Sequence, residues 1–360
     1  MYQTNYVLPS IIVVILFLIL FRIPITISQE RPPIPAVLVF GDSIVDPGNN
    51  NMLITPARAN FPPYGRDFPG HEPTGRFSNG RIPPDIIVSL LRIKDLLPPY
   101  RAPDLENQEL LTGVSFASAA SGFDNLTATV PKVFSLWDQL EMYKEYKRKL
   151  IAIAGEAAAD AIIRESPHVI FSGNNDILTT YFFSTIRQRT FDLPSYINYL
   201  VNAAGSFVNE LYKLGARRIV VAGVPPLGCV PAARTVGGGE NRDCVETYNQ
   251  ASTLFNLELS RSLEQLNVDL FGARIIYLNI YDTVMDLIQH GSDYGFEVTT
   301  RGCCGTGELE ASIFCNEFSP CTCPESETHK YLFWDGFHPT ERAFRIIITA
   351  LRSEFMRVLW

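Results

Sequence analysis

The chain has 360 residues, 46% of them hydrophobic and 19% charged, which is enough apolar material for one large α/β domain or two smaller ones. A formal net charge of -8 leaves no basic stripe, and this excludes the electrostatics that nucleic-acid binding needs.

Residues 11–21 form an unbroken apolar run, Ile-Ile-Val-Val-Ile-Leu-Phe-Leu-Ile-Leu-Phe. It is short for a bilayer span and has the length of the hydrophobic segment of a secretory leader. Arg22 and Pro24 end it, and Thr26-Ile27-Ser28 offers the small residues of a cleavage site. The expectation is a signal peptide over residues 1–28, with an uncleaved anchor as the rival reading. Removing Arg22 with it takes the net charge from -8 to -9.

Residues 36–40, Ala-Val-Leu-Val-Phe, stop abruptly at Gly41-Asp42-Ser43. A continuous apolar run bounded by turn residues reads as a strand buried on both faces. Ligands of open parallel sheets bind outside the carboxyl ends of the strands, so Ser43 stands where a nucleophile would be placed. Alone this means little, because a turn serine usually bonds its own backbone. Residues 60–84 are dense in Gly, Pro and aromatics and read as an ordered surface loop with substrate contacts. A helix starts at Pro84 and runs to Leu91, with Asp85 in its first turn.

Residues 113–117 read as a second strand, running into Ser118-Ala119-Ala120-Ser121-Gly122. Residues 136–150 carry Leu136, Leu140, Tyr143, Tyr146 and Leu150 at helical spacing, and helix continues over residues 156–164. Residues 168–172 are a third strand, ending at Gly173-Asn174-Asn175-Asp176. A helix over residues 195–214 stops at Gly215, and residues 218–224 form a fourth strand. Residues 245–266 are helical, residues 275–280 a fifth strand, and residues 282–289 and the stretch to about Val358 two further helices. Nearly all-apolar strands alternating with helices predict one parallel sheet covered on both faces, in a single domain over residues 29–360.

All seven cysteines lie in the second half. In an oxidising compartment they read as local disulfides, with Cys229 and Cys244 a candidate pair. Cys303, Cys304, Cys315, Cys321 and Cys323 crowd one loop, and the odd count leaves one spare. The Cys-Cys and Cys-x-Cys spacings do not match the usual zinc ligand pairs, and no metal or other cofactor is expected. Asn125-Leu126-Thr127 is a glycosylation sequon.

Of the five histidines, His338 has an acid three residues earlier, Asp335, with proline following. Asp335 can accept from the imidazole Nδ1–H and leave Nε2 free as a base. His168 lacks an acid neighbour, His71 and His329 sit in loops, and His290 ends a helix, where it complements the dipole. On a parallel sheet, Ser43, Gly122, Asn175 and the Asp335–His338 pair all fall at the strand-end face. A serine hydrolase needs that set: a nucleophile, a base with an orienter, and donors for the oxyanion.

Gly41-Asp42-Ser43-Ile44-Val45-Asp46-Pro47-Gly48-Asn49-Asn50, Ser-Phe-Ala-Ser-Ala-Ala-Ser-Gly ending at Gly122, Gly173-Asn174-Asn175-Asp176 and Asp335-Gly336-Phe337-His338-Pro339-Thr340 resemble the four blocks of the plant GDSL esterase/lipase family, within the SGNH hydrolases. The likeness spans nearly the whole mature chain and looks closest to the extracellular-lipase branch. It implies a flavodoxin-like three-layer α/β/α sandwich on a five-stranded parallel sheet. It also implies a carboxylic ester hydrolase with Ser43 as nucleophile, His338 as base and Asp335 as orienter. Ser43, Gly122 and Asn175 would form the oxyanion hole. Two places depart from the family pattern: Ala119 and Ala120 fill positions where members carry glycine, which could stiffen or shift the second oxyanion donor, and Cys321 is an extra cysteine.

The expected protein is a secreted, extracellular monomer of the cell wall or apoplast, with an ester or lipid substrate, no nucleic-acid partner and no integral membrane association after leader cleavage. Three rivals stand beside it. One is an acyltransferase using the same serine. Another is a catalytically silent secreted binding protein. The third, a nucleotide-binding flavodoxin-like protein, lacks a Gly-x-Gly-x-x-Gly after the first strand.

Overall fold

The computed structural model describes residues 34–359; the expected leader over residues 1–28 lies outside them. Four parallel strands, β1 (Leu38–Gly41), β2 (Pro167–Phe171), β3 (Arg218–Ala222) and β4 (Arg274–Leu278), lie in the order β1-β2-β3-β4. One register line runs Val39, Val169, Val220, Ile276. Every residue of β1 and β2 is buried, as apolar runs without alternation require.

The expected second strand differs in regularity. Residues 113–117 do run beside β1: Phe116 N–H donates to Val39 O at 2.7 Å and Ser118 N–H to Gly41 O at 2.9 Å. Yet they form only isolated bridges, Ser115 with Val39 and with Pro99. The ribbon is entered through Gly113 at φ +102, where an added Cβ would meet Val37 O at 2.0 Å. Its other edge is taken by residues 98–100, Ser115 N–H donating to Pro98 O and Tyr100 N–H to Ser115 O. Counting this ribbon, the spatial order in chain numbering is 2-1-3-4-5, the flavodoxin-like arrangement, whose switch point falls between the carboxyl ends of β1 and β2.

The principal helices are α1 (Pro83–Leu90), α2 (Leu136–Ala154), α3 (Glu156–Glu165), α4 (Leu193–Lys213), α5 (Glu246–Asp269), α6 (Ile280–Gln289) and α7 (Glu341–Ala350). Ser135 starts α2 with a capping box: its Oγ accepts from Asp138 N–H at 3.2 Å and the Asp138 carboxylate accepts from Ser135 N–H at 2.8 Å. Asp192 caps α4, which buries Tyr196, Leu200, Ala204, Phe207 and Leu211 at 3–4 residue spacing and packs on α5. α7 packs on α1. Among the described residues no helix is long and apolar enough to cross a membrane.

Phe40 of β1 ties the layers together. It stacks on Phe116 at 5.0 Å and meets Tyr143 and Phe207 edge-on at 5.5 Å. Truncating such a ring to alanine costs roughly 3–5 kcal/mol. His168 lies in the same cluster. Its Nε2 is 2.8 Å from the Tyr143 hydroxyl and its Nδ1 3.1 Å from Ser166 O, and burial lowers its pKa to about 4. It is a neutral core residue.

A second, two-stranded parallel sheet pairs β5 (Val298–Gly302) with β6 (Tyr331–Phe333). Sequence reading leaves it as loop because β5 exposes Thr300 and Arg301 instead of an apolar face. The cysteines between these strands pair as Cys303–Cys323 and Cys304–Cys315, Cys229 pairs with Cys244, and Cys321 is free and exposed.

Candidate active site

The site starts where β1 ends. Gly41 has φ +141, and an added Cβ would lie 1.9 Å from Phe171 O, so only glycine lets β1 finish this close to β2. Gln139 clamps the same peptide, its Oε1 accepting from Gly41 N–H and its Nε2 donating to Gly41 O, both at 2.9 Å. Asp42 then turns the chain. Its N–H donates to Phe171 O, and its buried carboxylate accepts from Ile44 N–H and Asn174 Nδ2, each at 3.0 Å. Burial pushes its pKa up to about 6, against the pull of these donors. The turn leaves the Ser43 hydroxyl facing a pocket of about 160 Å3 at the switch point.

His338 comes from the other end of the chain. Pro339 keeps it out of α7, which Thr340 caps by accepting from Ala343 N–H. Trp334 N–H donates to His338 O at 2.7 Å and closes the tight loop. Within it the Asp335 carboxylate accepts from the N–H of Phe337 and of His338, both at 2.8 Å. His338 Nδ1 is 2.8 Å from both Asp335 oxygens, and His338 Nε2 is 2.8 Å from Ser43 Oγ. Asp335 is fully buried and His338 nearly so. Residues 295 positions apart thus form one hydrogen-bonded line, carboxylate, imidazole, hydroxyl. Such a line can draw the proton from a serine attacking a carbonyl.

The family model for GDSL-like lipase/acylhydrolase matches residues 37–351. The chain belongs to this family. It is 47% identical over 333 residues to the GDSL esterase/lipase At5g42170 of Arabidopsis thaliana, covering 92% of this chain and 89% of that one. It is 44% identical over 342 residues to GDSL esterase/lipase EXL3 of the same plant, covering 94% and 93%.

The other residues singled out in the GDSL blocks fall around the pocket unequally. Asn175 lines it, with its Nδ2 donating to Ser121 O at 3.0 Å and its second amide hydrogen unassigned. Ala119 and Ala120 also line it, whereas Gly122 is not among its lining residues. Gly122 packs against Asp176, whose Oδ1 would be 2.2 Å from an added Cβ. Ala120 has φ +65, the left-handed region that glycine enters without strain. Among the described residues, the N–H groups of Ser43, Ala120 and Gly122 have no protein acceptor. Asp176 reaches back to the loop after Gly122. Its buried carboxylate accepts from Phe123 N–H, Asp124 N–H and Thr127 Oγ1 at 2.6–3.1 Å, with burial pushing its pKa up to about 7.

Phe77 of the loop over residues 60–84 lines the pocket. The aromatic stretch Tyr181-Phe182-Phe183 does not, because Phe182 packs on Tyr248 at 4.1 Å and Tyr181 stacks on Tyr196 at 5.3 Å.

Sequence reasoning missed Tyr64. Its hydroxyl donates to Asp335 Oδ2 at 2.8 Å and accepts from Ser312 N–H at 2.7 Å. Burial first, and the Asp335 charge next, push the phenol pKa well above its ordinary value, so it stays a donor. A tyrosine 271 residues away from its partner leaves no local signal. It also missed Asn49 and Asn50. Asn49 Nδ2 donates to Ser115 O and Ala117 O at 2.9 and 2.7 Å. Asn50 Nδ2 donates to Ala57 O and Ala119 O at 2.9 and 3.1 Å. The buried Asp46 carboxylate collects the N–H groups of Gly48, Asn49 and Ala119. The tail of the first block is therefore a brace for the loop that carries Ala119 to Gly122.

Proposed function

We propose that the protein is a secreted serine esterase or lipase, cut after residue 28, with residues 29–360 acting as one monomeric hydrolase domain. What carries the reading is the 2.8 Å approach of His338 Nε2 to Ser43 Oγ, with Nδ1 held on the Asp335 carboxylate. Ser43 attacks the ester carbonyl while His338 takes its proton. The tetrahedral oxyanion is held by Ser43 N–H, Gly122 N–H and the Asn175 amide. His338 returns the proton to the departing alcohol, leaving Ser43 acylated. Water then attacks with His338 as base again, releasing the acid and restoring the serine. Asp335 keeps the imidazole in the tautomer that this sequence needs, and Tyr64 positions Asp335.

Three disulfides and kinship with plant GDSL esterase/lipases support an oxidising, extracellular location. Asn125 is exposed and is proposed to carry a glycan, which a mass shift on deglycosylation would report.

The test is hydrolysis of p-nitrophenyl acetate and butyrate by the leader-free, oxidised protein beside Ser43→Ala. Turnover by wild type and none above background by the variant is expected. Equal turnover by both refutes the serine mechanism.

A further inference from the structure

Behind the pocket at Ser43 lies a second cavity of about 50 Å3. The two share five wall residues: Ile44, Asn174, Pro225, Val230 and Phe337. Behind that partition the cavity is walled by apolar side chains, Phe171 at the end of β2, Val284 of α6, and Phe344 and Ile347 of α7 among them. The single polar side chain of the wall, Asn174, stands in the partition, tied by its amide nitrogen to Asp42.

Protein interiors pack nearly as densely as organic crystals, so voids of this size are few. Apolar voids stay dry and take apolar guests. This one begins a single residue from the reacting hydroxyl, since Ile44 follows Ser43, and Phe337, which precedes His338, forms the other jamb. Ile44 and Phe337 are both only partly buried and both face the open pocket. The partition between Ser43 and the cavity is apolar except for Asn174, formed by Ile44, Pro225, Val230 and Phe337.

We propose that this cavity is the acyl-tail subsite. On the esterase reading above, it takes the end of an unbranched, medium-length fatty acyl chain that passes between Ile44 and Phe337, and the far wall at Val284 and Ile347 sets the upper length.

The experiment is a chain-length series of p-nitrophenyl esters, acetate to laurate, in which the alcohol is constant and only the acyl group varies. For the wild-type protein, kcat/KM rises from acetate to octanoate and falls by laurate. Val284→Phe fills the far wall and lowers the octanoate-to-acetate ratio at least tenfold. Ile347→Ala deepens the cavity and moves the optimum toward laurate. Thermal melts and acetate turnover report whether each variant is folded. Ratios within twofold of wild type in both folded variants overturn the subsite. So does a length dependence seen with alkyl acetates but not with acyl esters, which would make it an alcohol site. Should the wild-type protein turn over no ester, calorimetric binding of octanoate decides separately. Binding that Val284→Phe abolishes keeps the subsite while the esterase reading fails, and no binding to the wild-type protein removes the subsite too.

Discussion

Replacing Tyr64 with phenylalanine keeps the ring among Phe61, Phe77 and Trp334 and deletes only the hydroxyl. In the wild-type protein the fully buried Asp335 carboxylate takes two backbone N–H bonds on Oδ1, the phenol on Oδ2, and the imidazole across both. The variant leaves Oδ2 with the imidazole alone. A hydrogen bond to a charged group contributes about 1.5–3 kcal/mol, and the orphaned Ser312 N–H costs about 1–3 kcal/mol more. Together they predict a stability loss of roughly 2.5–6 kcal/mol. Tyr64 lines no part of the substrate pocket, so substrate affinity should hold. A carboxylate free to shift lets the imidazole swing off the serine, and about 1.4 kcal/mol of lost alignment is a tenfold fall in kcat. The assay is initial rates on p-nitrophenyl butyrate across a concentration range, below the melting temperature of the variant. A tenfold lower kcat with KM within twofold is expected. If the protein melts earlier but kcat stays within twofold of wild type, the hydroxyl merely supports the fold and the positioning argument fails.

Asn175→Ala should lower kcat about 10²–10³-fold with the fold intact, and near wild-type rates would remove it from the oxyanion site. Arg76 and Asp85 form a buried bidentate pair, both contacts at 2.8 Å, so Arg76→Ala should cost about 3–5 kcal/mol in denaturant titration. Arg76→Lys should rescue little, because an ammonium cannot fork onto both oxygens; full rescue would refute the geometric account. Burial pushes Asp42 and Asp46 up to about 6 and Asp176 up to about 7, from 3.8. Their folded forms bind protons more tightly than the unfolded chain, so their contribution is full below pH 3.8 and is lost as pH rises through 6–7. His168, lowered from 6.5 to about 4, acts oppositely as pH falls. Three acids outweigh one imidazole, and Tm should be higher at pH 6 than at pH 8; a flat or reversed trend contradicts the assignment. Mutating Cys304 and Cys315 to serine should lower stability by about 2–3 kcal/mol and also depress kcat, since their loop holds Ser312 against Tyr64. An unchanged kcat would uncouple that loop from the site.

Local pattern made the core strands legible, because all-apolar runs such as Val-Leu-Val-Phe can only be buried on both faces. The ribbon over residues 113–117 was found, but not its irregularity, which arises from contacts with residues 98–100 far from its own sequence. β5 was invisible, because its exposed polar residues carry no alternation. Ser43, Asp335, His338 and Asn175 stood out in the sequence because each sits on a short turn with recognisable neighbours, and the fold brings Ser43, His338 and Asn175 to one pocket with Asp335 on the imidazole. Tyr64, Asn49 and Asn50 were not, because their work is done through contacts tens to hundreds of residues away. Ala120 shows the reverse case. The sequence marked it as standing in a glycine position, and its left-handed backbone gives the physical reason glycine suits that place.

The brace formed by Asp46, Asn49 and Asn50 bears on any attempt to redesign this protein. The loop from Ser115 to Ala119 is gripped through three carbonyls and one N–H by side chains outside it, and through its own Ser115 and Ser118 hydroxyls, which donate to Val45 O and Asn50 Oδ1. A substitution at Ala119 can change what the pocket wall is made of while leaving these ties in place. Substitutions at the two asparagines would instead move a whole segment of wall at once. A designer seeking a different pocket wall should vary Ala119 and leave the two asparagines alone, treating the first block as a two-part tool in which Ser43 faces the pocket and Asp46 to Asn50 are the handle.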